Sequence, residues 1–310
     1  MAELRKEVYS KELAGRLFPN NEFFTKAYKE NLAMDAIAIK IPQSGSVPGA
    51  VIGQPKQLPL PIKSVTDDSL TINVYPIIAP PVLIDNETEI TVSYNKRAQY
   101  QQQQADTINT AAADIAAVEW GPTTAARIIS TTGSARATSV TGLTGTRLAM
   151  TVADFVKAKV TLMKQNLGAN MGNLYALLTA DAYTDIMLLP DFVSYEKLGL
   201  TSRLIEGVVG RFMGFDIMVR VNDYGHVGVT YTAANAKNAL GVTTAAATDR
   251  PANLFWSDKY AAYAHSGVNS DINGGPGLVG GKVIEAWTRF GAGLKRSDQK
   301  GIVAVVEPVS

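Results

Sequence analysis

The chain has 310 residues and a mass of 33.1 kDa, enough for two domains of roughly 150 residues or one large elaborated domain. It contains no cysteine and only two histidines, His226 and His265, which excludes disulfide scaffolds, thiol nucleophiles, cysteine-based zinc or iron–sulfur sites and any multi-histidine metal centre. A formal net charge of +1 offers no bulk attraction to a phosphate backbone or an acidic membrane, and charged residues at 18%, against roughly 25% in an ordinary domain, lean toward an oligomer with charge-poor interfaces.

Met1 to Phe18 scatters charges among its apolar residues, so it does not read as a signal peptide. Ser69 to Ile84 is uncharged but broken by prolines, and it falls short of the roughly 20 apolar residues of a membrane span. No membrane partner is expected, and a cytoplasm is the expected place of synthesis and use. The first thirty-five residues predict two short amphipathic helices parted by Pro19-Asn20-Asn21, with Leu4, Val8 and Leu13 in the first and Phe24, Tyr28 and Leu32 at i, i+4, i+8 in the second. Helices this short need a surface to lie on, in this subunit or another, and Phe23, Phe24 and Tyr28 are candidate inter-subunit contacts.

Eight of the fourteen prolines follow within forty residues (Pro42, Pro48, Pro55, Pro59, Pro61, Pro76, Pro80, Pro81), so no helix runs through this stretch. Ala36 to Ile41 and Leu70 to Tyr75 alternate as strands, and Asp67-Asp68 reads as a turn between strand-like pieces. A long two-stranded loop is predicted, reaching roughly 65 Å if each arm has about 20 residues. A lone ribbon is marginal in water. It either folds back on its own domain or is supported by a neighbour, with Val51, Ile52, Leu58, Leu60 and Ile62 as candidate contacts.

Tyr94 to Val118 predicts a long helix, with Tyr94, Ala98, Ala105, Ile108, Ala112 and Ile115 on one narrow stripe, Gln101 to Gln104 facing outward or bridging, and Gly121-Pro122 as the stop. Residues 123–150 read as loop or edge structure whose only charges are Arg127, Arg136 and Arg147. Thr151 with Asp154 starts a helix in capping-box fashion, followed by a strand at Leu174 to Leu178, a helix at Ala180 to Leu189 and a short apolar strand or turn at Leu204 to Val209. Phe215 to Val221 alternates, with Phe215, Ile217 and Val219 on one face. Leu254 to Trp256, Val283 to Phe290 and Ile302 to Val306 predict strands that return to the sheet beside the long helix.

Motifs for chemistry are weak. Gly275-Pro276-Gly277-Leu278-Val279-Gly280 spells GxGxxG, but it lacks the strand before and helix after that a dinucleotide site requires. Both histidines read as structural or solvated, and Asp67-Asp68 and Glu87/Glu89 lie in apparent turns. No catalytic residue, cofactor or metal is expected. Arg203, Arg211 and Arg220 are either solvated or, in the sharper reading, inter-subunit ion-pair partners.

The order of parts resembles the major capsid proteins of tailed double-stranded-DNA bacteriophages, the HK97-like fold. Ile41-Pro42-Gln43-Ser44-Gly45, Leu174 to Thr179 and the run Ile205 to Ile217 carry the likeness, the last through its turn glycines Gly207, Gly210 and Gly214 before Phe215. The resemblance implies an α+β fold with an N-terminal arm (1–35), an extended β loop (36–84), a discontinuous peripheral domain with a long spine helix (85–150 and 251–310) and an axial α/β domain (151–250). It also implies a non-enzymatic subunit that forms pentamers and hexamers of an icosahedral shell around DNA held without sequence-specific contacts. Separate scaffolding, portal and decoration proteins are possible partners, and the place of action is the virion, assembled in a host bacterial cytoplasm. The rival expectations are an encapsulin-like compartment subunit, an α/β enzyme, and a tail-tube or adhesin protein.

Overall fold

The computed structural model describes residues 21–32, 37–45, 64–85, 96–165, 167, 171–188, 210–221, 226–241, 246–273 and 281–310. A 3₁₀ turn (Glu22–Lys26) leads to β1 (Tyr28–Glu30), β2 (Ala38–Gln43), the long β3 (Asp68–Asp85) and helix α1 (Lys96–Trp120). The Thr/Ser/Gly/Ala-rich segment supplies three short strands, β4 (Ile128–Ser130), β5 (Ala135–Ala137) and β6 (Thr146–Leu148). Next come α2 (Val152–Met163), β7 (Leu174–Leu178), α3 (Ala180–Met187), β8 (Gly210–Phe212), β9 (Phe215–Val219) and β10 (Thr230–Tyr231). The last strands are β11 (Arg250–Ser257), β12 (Ala261–His265), β13 (Asn269–Asn273), β14 (Gly281–Leu294) and β15 (Ile302–Val306).

One sheet has the order β1-β12-β14-β3-β2, with β13 also on β14. β3 changes partner along its length: residues 68–73 pair with β2, and residues 74–85 pair with β14. Six pairs of the predicted two-stranded loop are present, 38–43 against 68–73, although Asp68 opens a strand and is not in a turn, and residues 46–63 lie outside the described residues. Two prolines interrupt the ladder. Ile284 sits opposite Val82 and Ala286 opposite Ala79, so Pro80 and Pro81 form a bulge where proline nitrogens have no proton to donate. Gln104 of α1 repairs the gap, its Nε2 donating to the carbonyls of both Pro80 and Ile284 at 3.0 Å. Within the glutamine run the side chains thus part company, Gln102 being exposed and Gln104 buried. Gln104→Leu leaves both carbonyls without this donor and is expected to cost about 1–3 kcal/mol. Urea denaturation is the measurement, and an unchanged midpoint would refute this role for Gln104.

The second sheet has the order β4-β15-β11-β7-β9-β8, with β10 on β11. Two of the three strands expected to return beside the long helix join this sheet, under which the second half of that helix packs: β11 and β15 pair with each other, and β11 pairs with β7. Only β14 returns to the first sheet. The reason is burial on both faces. Ile302, Ala304 and Val306 of β15 pack toward α1, while Val303 and Val305 pack toward α2 and α3. Such strands read as continuous apolar runs, so their sequence does not say which sheet they join. Alternation in β9 has the same origin, with Phe215 and Ile217 in one layer and Met218 in the other.

Helix α1 spans both sheets. Its first half packs Ile108 against Ala79 and Ala286, and its second half packs Ala112, Ala113, Ala116, Ala117 and Trp120 into the core under the second sheet. Alanines allow the close approach, and the Trp120 indole donates to the carbonyl of Ala262 at 3.0 Å. Gly121 ends the helix, where a Cβ would lie 2.9 Å from Lys237 Cδ and 3.0 Å from Val229. Helix α2 starts as predicted, the Asp154 carboxylate accepting from the backbone N–H and hydroxyl of Thr151, both at 2.9 Å.

Candidate assembly surfaces

The N-terminal segment departs from its predicted form. The helix expected through Phe24, Tyr28 and Leu32 is a 3₁₀ turn and a three-residue strand that pairs in parallel with β12. Adjacent phenylalanines explain this, since both enter one aromatic socket. Phe23 meets Trp120 at 5.8 Å and Trp256 at 6.3 Å, and Phe24 meets Tyr263 at 5.5 Å and Phe290 at 5.4 Å, all edge-on. The Trp256 indole adds a bond to the carbonyl of Lys26 at 3.1 Å. Phe23 and Phe24 are thus core residues of their own chain, 1% and 8% exposed, and the assignment of these two to inter-subunit contacts is corrected. Arg220 locks the same junction from within: its guanidinium pairs with Asp114 of α1 at 2.7 Å, reaches Asn21 at 3.4 Å and lies 5.6 Å from the centre of the Phe23 ring. It holds the arm and is no surface ion-pair partner.

Tyr28 does lie at the surface, half exposed, with Lys295 Nζ 3.4 Å from its ring centre. Val51, Ile52, Leu58, Leu60, Ile62, Arg203 and Gly207 fall outside the described residues, as do the first predicted helix, the strand or turn at 204–209 and the GxGxxG letters. The described part of the loop presents apolar side chains to solvent, with Ile37 79% and Ile78 72% exposed.

Gly210 and Gly214 belong to a tight hairpin in which Phe212 pairs with Phe215 across Met213-Gly214. Both turn residues have positive φ, 50° and 88°, as a two-residue primed turn demands. Lys159 Nζ caps the turn by donating to the Met213 carbonyl at 2.9 Å, and it would lie 3.0 Å from a Cβ at Gly214. Gly214→Ala is therefore expected to cost about 1 kcal/mol or more, checked by thermal melting; an unchanged or raised midpoint would count against it. Arg211 pairs across this hairpin with Asp216 at 3.6 Å and stays about half exposed.

A partly buried charge cluster around Glu307 gave no distinct signal in the sequence. Arg136 of β5 binds both carboxylate oxygens of Asp185 at 2.8 Å, Asp181 at 3.1 Å and Glu307 at 2.9 Å. Glu307 also accepts from Thr179 at 3.1 Å and Asn253 at 3.0 Å, and burial raises its pKa against the pull of Arg136. This cluster clamps β5 to α3 and to the residue after β15. Arg147, fully buried, donates to the carbonyls of Thr144, Thr146, Ala247 and Asp249 among the described residues. A general hint existed: 123–150 is nearly uncharged, so its isolated arginines call for buried partners. His226 Nδ1 accepts from the Gly228 N–H at 2.9 Å, and burial with nearby Arg220 lowers its pKa to about 4, so it sits neutral in a turn. Among the described residues no group of three or more His, Asp or Glu is arranged to hold a metal ion, and no helix is long and apolar enough to cross a membrane.

No protein-family model matches the sequence, and no curated protein matches it. Solved structures do. The capsid of Ralstonia phage GP4 matches with a TM-score of 0.64 at 13% identity, over 99% of this chain and 96% of that one. The head structure of Helicobacter pylori bacteriophage KHP40 matches with a TM-score of 0.66 at 10% identity, over 98% and 95%. The Cyanophage Pam1 capsid asymmetric unit matches with a TM-score of 0.62 at 12% identity, over 100% and 98%. Two sheets bridged by one long helix, with the β2–β3 hairpin and an N-terminal segment seated in the core, are thus the HK97-like α+β fold of tailed-phage capsid proteins.

Proposed function

We propose that this chain is a major capsid subunit whose copies form pentamers and hexamers and close into an icosahedral shell around double-stranded DNA. The observation that carries the reading is the end-to-end likeness to phage capsid proteins, 98–100% of this chain against 95–98% of theirs. The exposed apolar side chains agree with it, since Ile37 before β2 and Ile78 where β3 runs along β14 lack the cover that a neighbouring copy supplies. In this reading residues 36–84 lap the next subunit, 151–250 surround the ring axis, and the near-neutral chain holds DNA by enclosure. Scaffolding, portal and decoration proteins are separate partners, and the working location is the virion.

Negative-stain microscopy and sedimentation of the recombinant chain test this. Rings of five and six or closed particles support it, and a monomer that persists at high concentration overturns it. Nucleic acid content of particles purified from infected cells separates a DNA shell from an enzyme-filled compartment.

A further inference from the structure

The prolines of β2 and β3 all occupy one kind of position. In an antiparallel ladder, successive residues turn their N–H and C=O groups to opposite sides. The Val74 N–H donates to the Ile37 carbonyl at 3.1 Å, so even residues of β3 face β2 and odd residues face away from it. β14 gives the same parity independently. The Ser266 N–H donates to the Arg289 carbonyl at 3.1 Å, so odd residues of β14 face β12, and Phe290 and Thr288, opposite Tyr75 and Ile77, face β3. Residues 76, 78 and 80 of β3 therefore turn their backbone groups away from β14. The bulge shifts the parity by one: Ile284 lies opposite Val82, so beyond it Pro81 and Leu83 turn outward.

Between Val74 and Leu83 this outer edge consists of Pro76, Ile78, Pro80 and Pro81, and Ile78 brings its single amide donor. Among the described residues no strand pairs with it beyond Val74. The side chains of these four residues and of Leu83 are exposed, Ile78 at 72% and Leu83 at 60%. An apolar edge with all its backbone donors in place is a template for another strand. Each proline deletes a donor and sets a ring where the incoming acceptor would sit. The outer edge of β2 is made the same way, from Ala38, Lys40 and Pro42, and lysine and proline are the residues that discourage edge pairing.

We infer that Pro76, Pro80 and Pro81 close the outer edge of β3 to strand addition by a second copy of this chain. Ile78 and Leu83 can then stand exposed on a subunit without sheets joining edge to edge. The inference goes beyond the shell reading and does not depend on it.

Residue-resolved hydrogen exchange on the full-length chain reads the edge directly. The Ile78 amide is expected to exchange about tenfold or more faster than those of Tyr75 and Ile77, which bond β14; an Ile78 amide as protected as theirs overturns the inference. Two variants test the role of the ring. Pro76→Thr restores a donor beside Ile78 and leaves every rung to β14 in place, and it is expected to form sedimenting, thioflavin-T-positive material about tenfold faster than the parent at equal concentration. Pro76→Lys restores the same donor but adds a charge to the edge, and it is expected to behave as the parent. Thermal melts report folding, and electron microscopy separates stacked sheets from rings and shells. The inference fails if Pro76→Thr folds and stays as soluble as the parent, or if Pro76→Lys aggregates as fast as Pro76→Thr. It fails equally if Pro76→Thr does not fold, since the ring would then serve its own subunit. A parent that forms no rings or particles sinks the shell reading and leaves these comparisons intact.

Discussion

Arg136→Ala is expected to destabilise the protein by about 3–5 kcal/mol near neutral pH, because it strips the counter-charge from buried Glu307 and from the partly buried Asp181 and Asp185. The sign of its pH dependence follows from Glu307. Burial holds the Glu307 pKa above the ordinary carboxylate range, and Arg136 is the first of the groups that pull it back. Without Arg136 that pull is lost and the folded-state pKa climbs further. A carboxyl whose folded pKa exceeds its unfolded value of roughly 4.3 contributes stability when protonated and loses it as pH rises through the folded value. The deficit of the variant should therefore be large near pH 7 and smaller near pH 5. Denaturant unfolding of both proteins at the two pH values measures it, and an equal deficit at both would sink the argument. Adding Glu307→Gln to Arg136→Ala should recover part of the loss at neutral pH, since Gln keeps an acceptor for Thr179 and Asn253 without the buried charge.

Phe23→Ala is the second large expectation. It empties a socket lined by Trp120 and Trp256, and a buried phenylalanine lost to alanine costs about 3–5 kcal/mol. The effect should be both global and local. The unfolding midpoint falls, and trypsin cuts after Lys26 and Lys29 well before the rest of the chain, because β1 holds β12 by only three residue pairs. A midpoint equal to that of the parent would mean that the arm root is not seated in the core.

Local signals made much of this fold legible. Alanine-rich periodicity from Ala98 to Ile115 and the Gly121-Pro122 stop placed the long helix. Thr151 with Asp154 marked the start of α2, and alternation at 36–41 and 70–75 marked the two loop strands, whose described pairing runs 38–43 against 68–73. Partners distant in sequence were not legible. Tyr28 finds Ala262, Arg136 finds Glu307, and Gln104 bonds Ile284, each across well over a hundred residues. Periodicity could not separate a strand at 28–30 from a helix, since three residues are too few to show either repeat. Nor could it tell that Phe23 and Phe24 face the core of their own chain: apolar residues near a terminus look alike whether a sibling or the same subunit covers them.

The position of β15 governs when this protein can become itself. Residues 302–306, the last strand in sequence, are 0% exposed and lie between β11 and β4 inside the second sheet. They also supply Ile302, Ala304 and Val306 to the core that seats the arm. A nascent chain emerging from the ribosome can finish neither hydrophobic layer until this strand is free, so both layers wait for residues 302–306. A product cut short before Ile302 would therefore leave both layers unfinished.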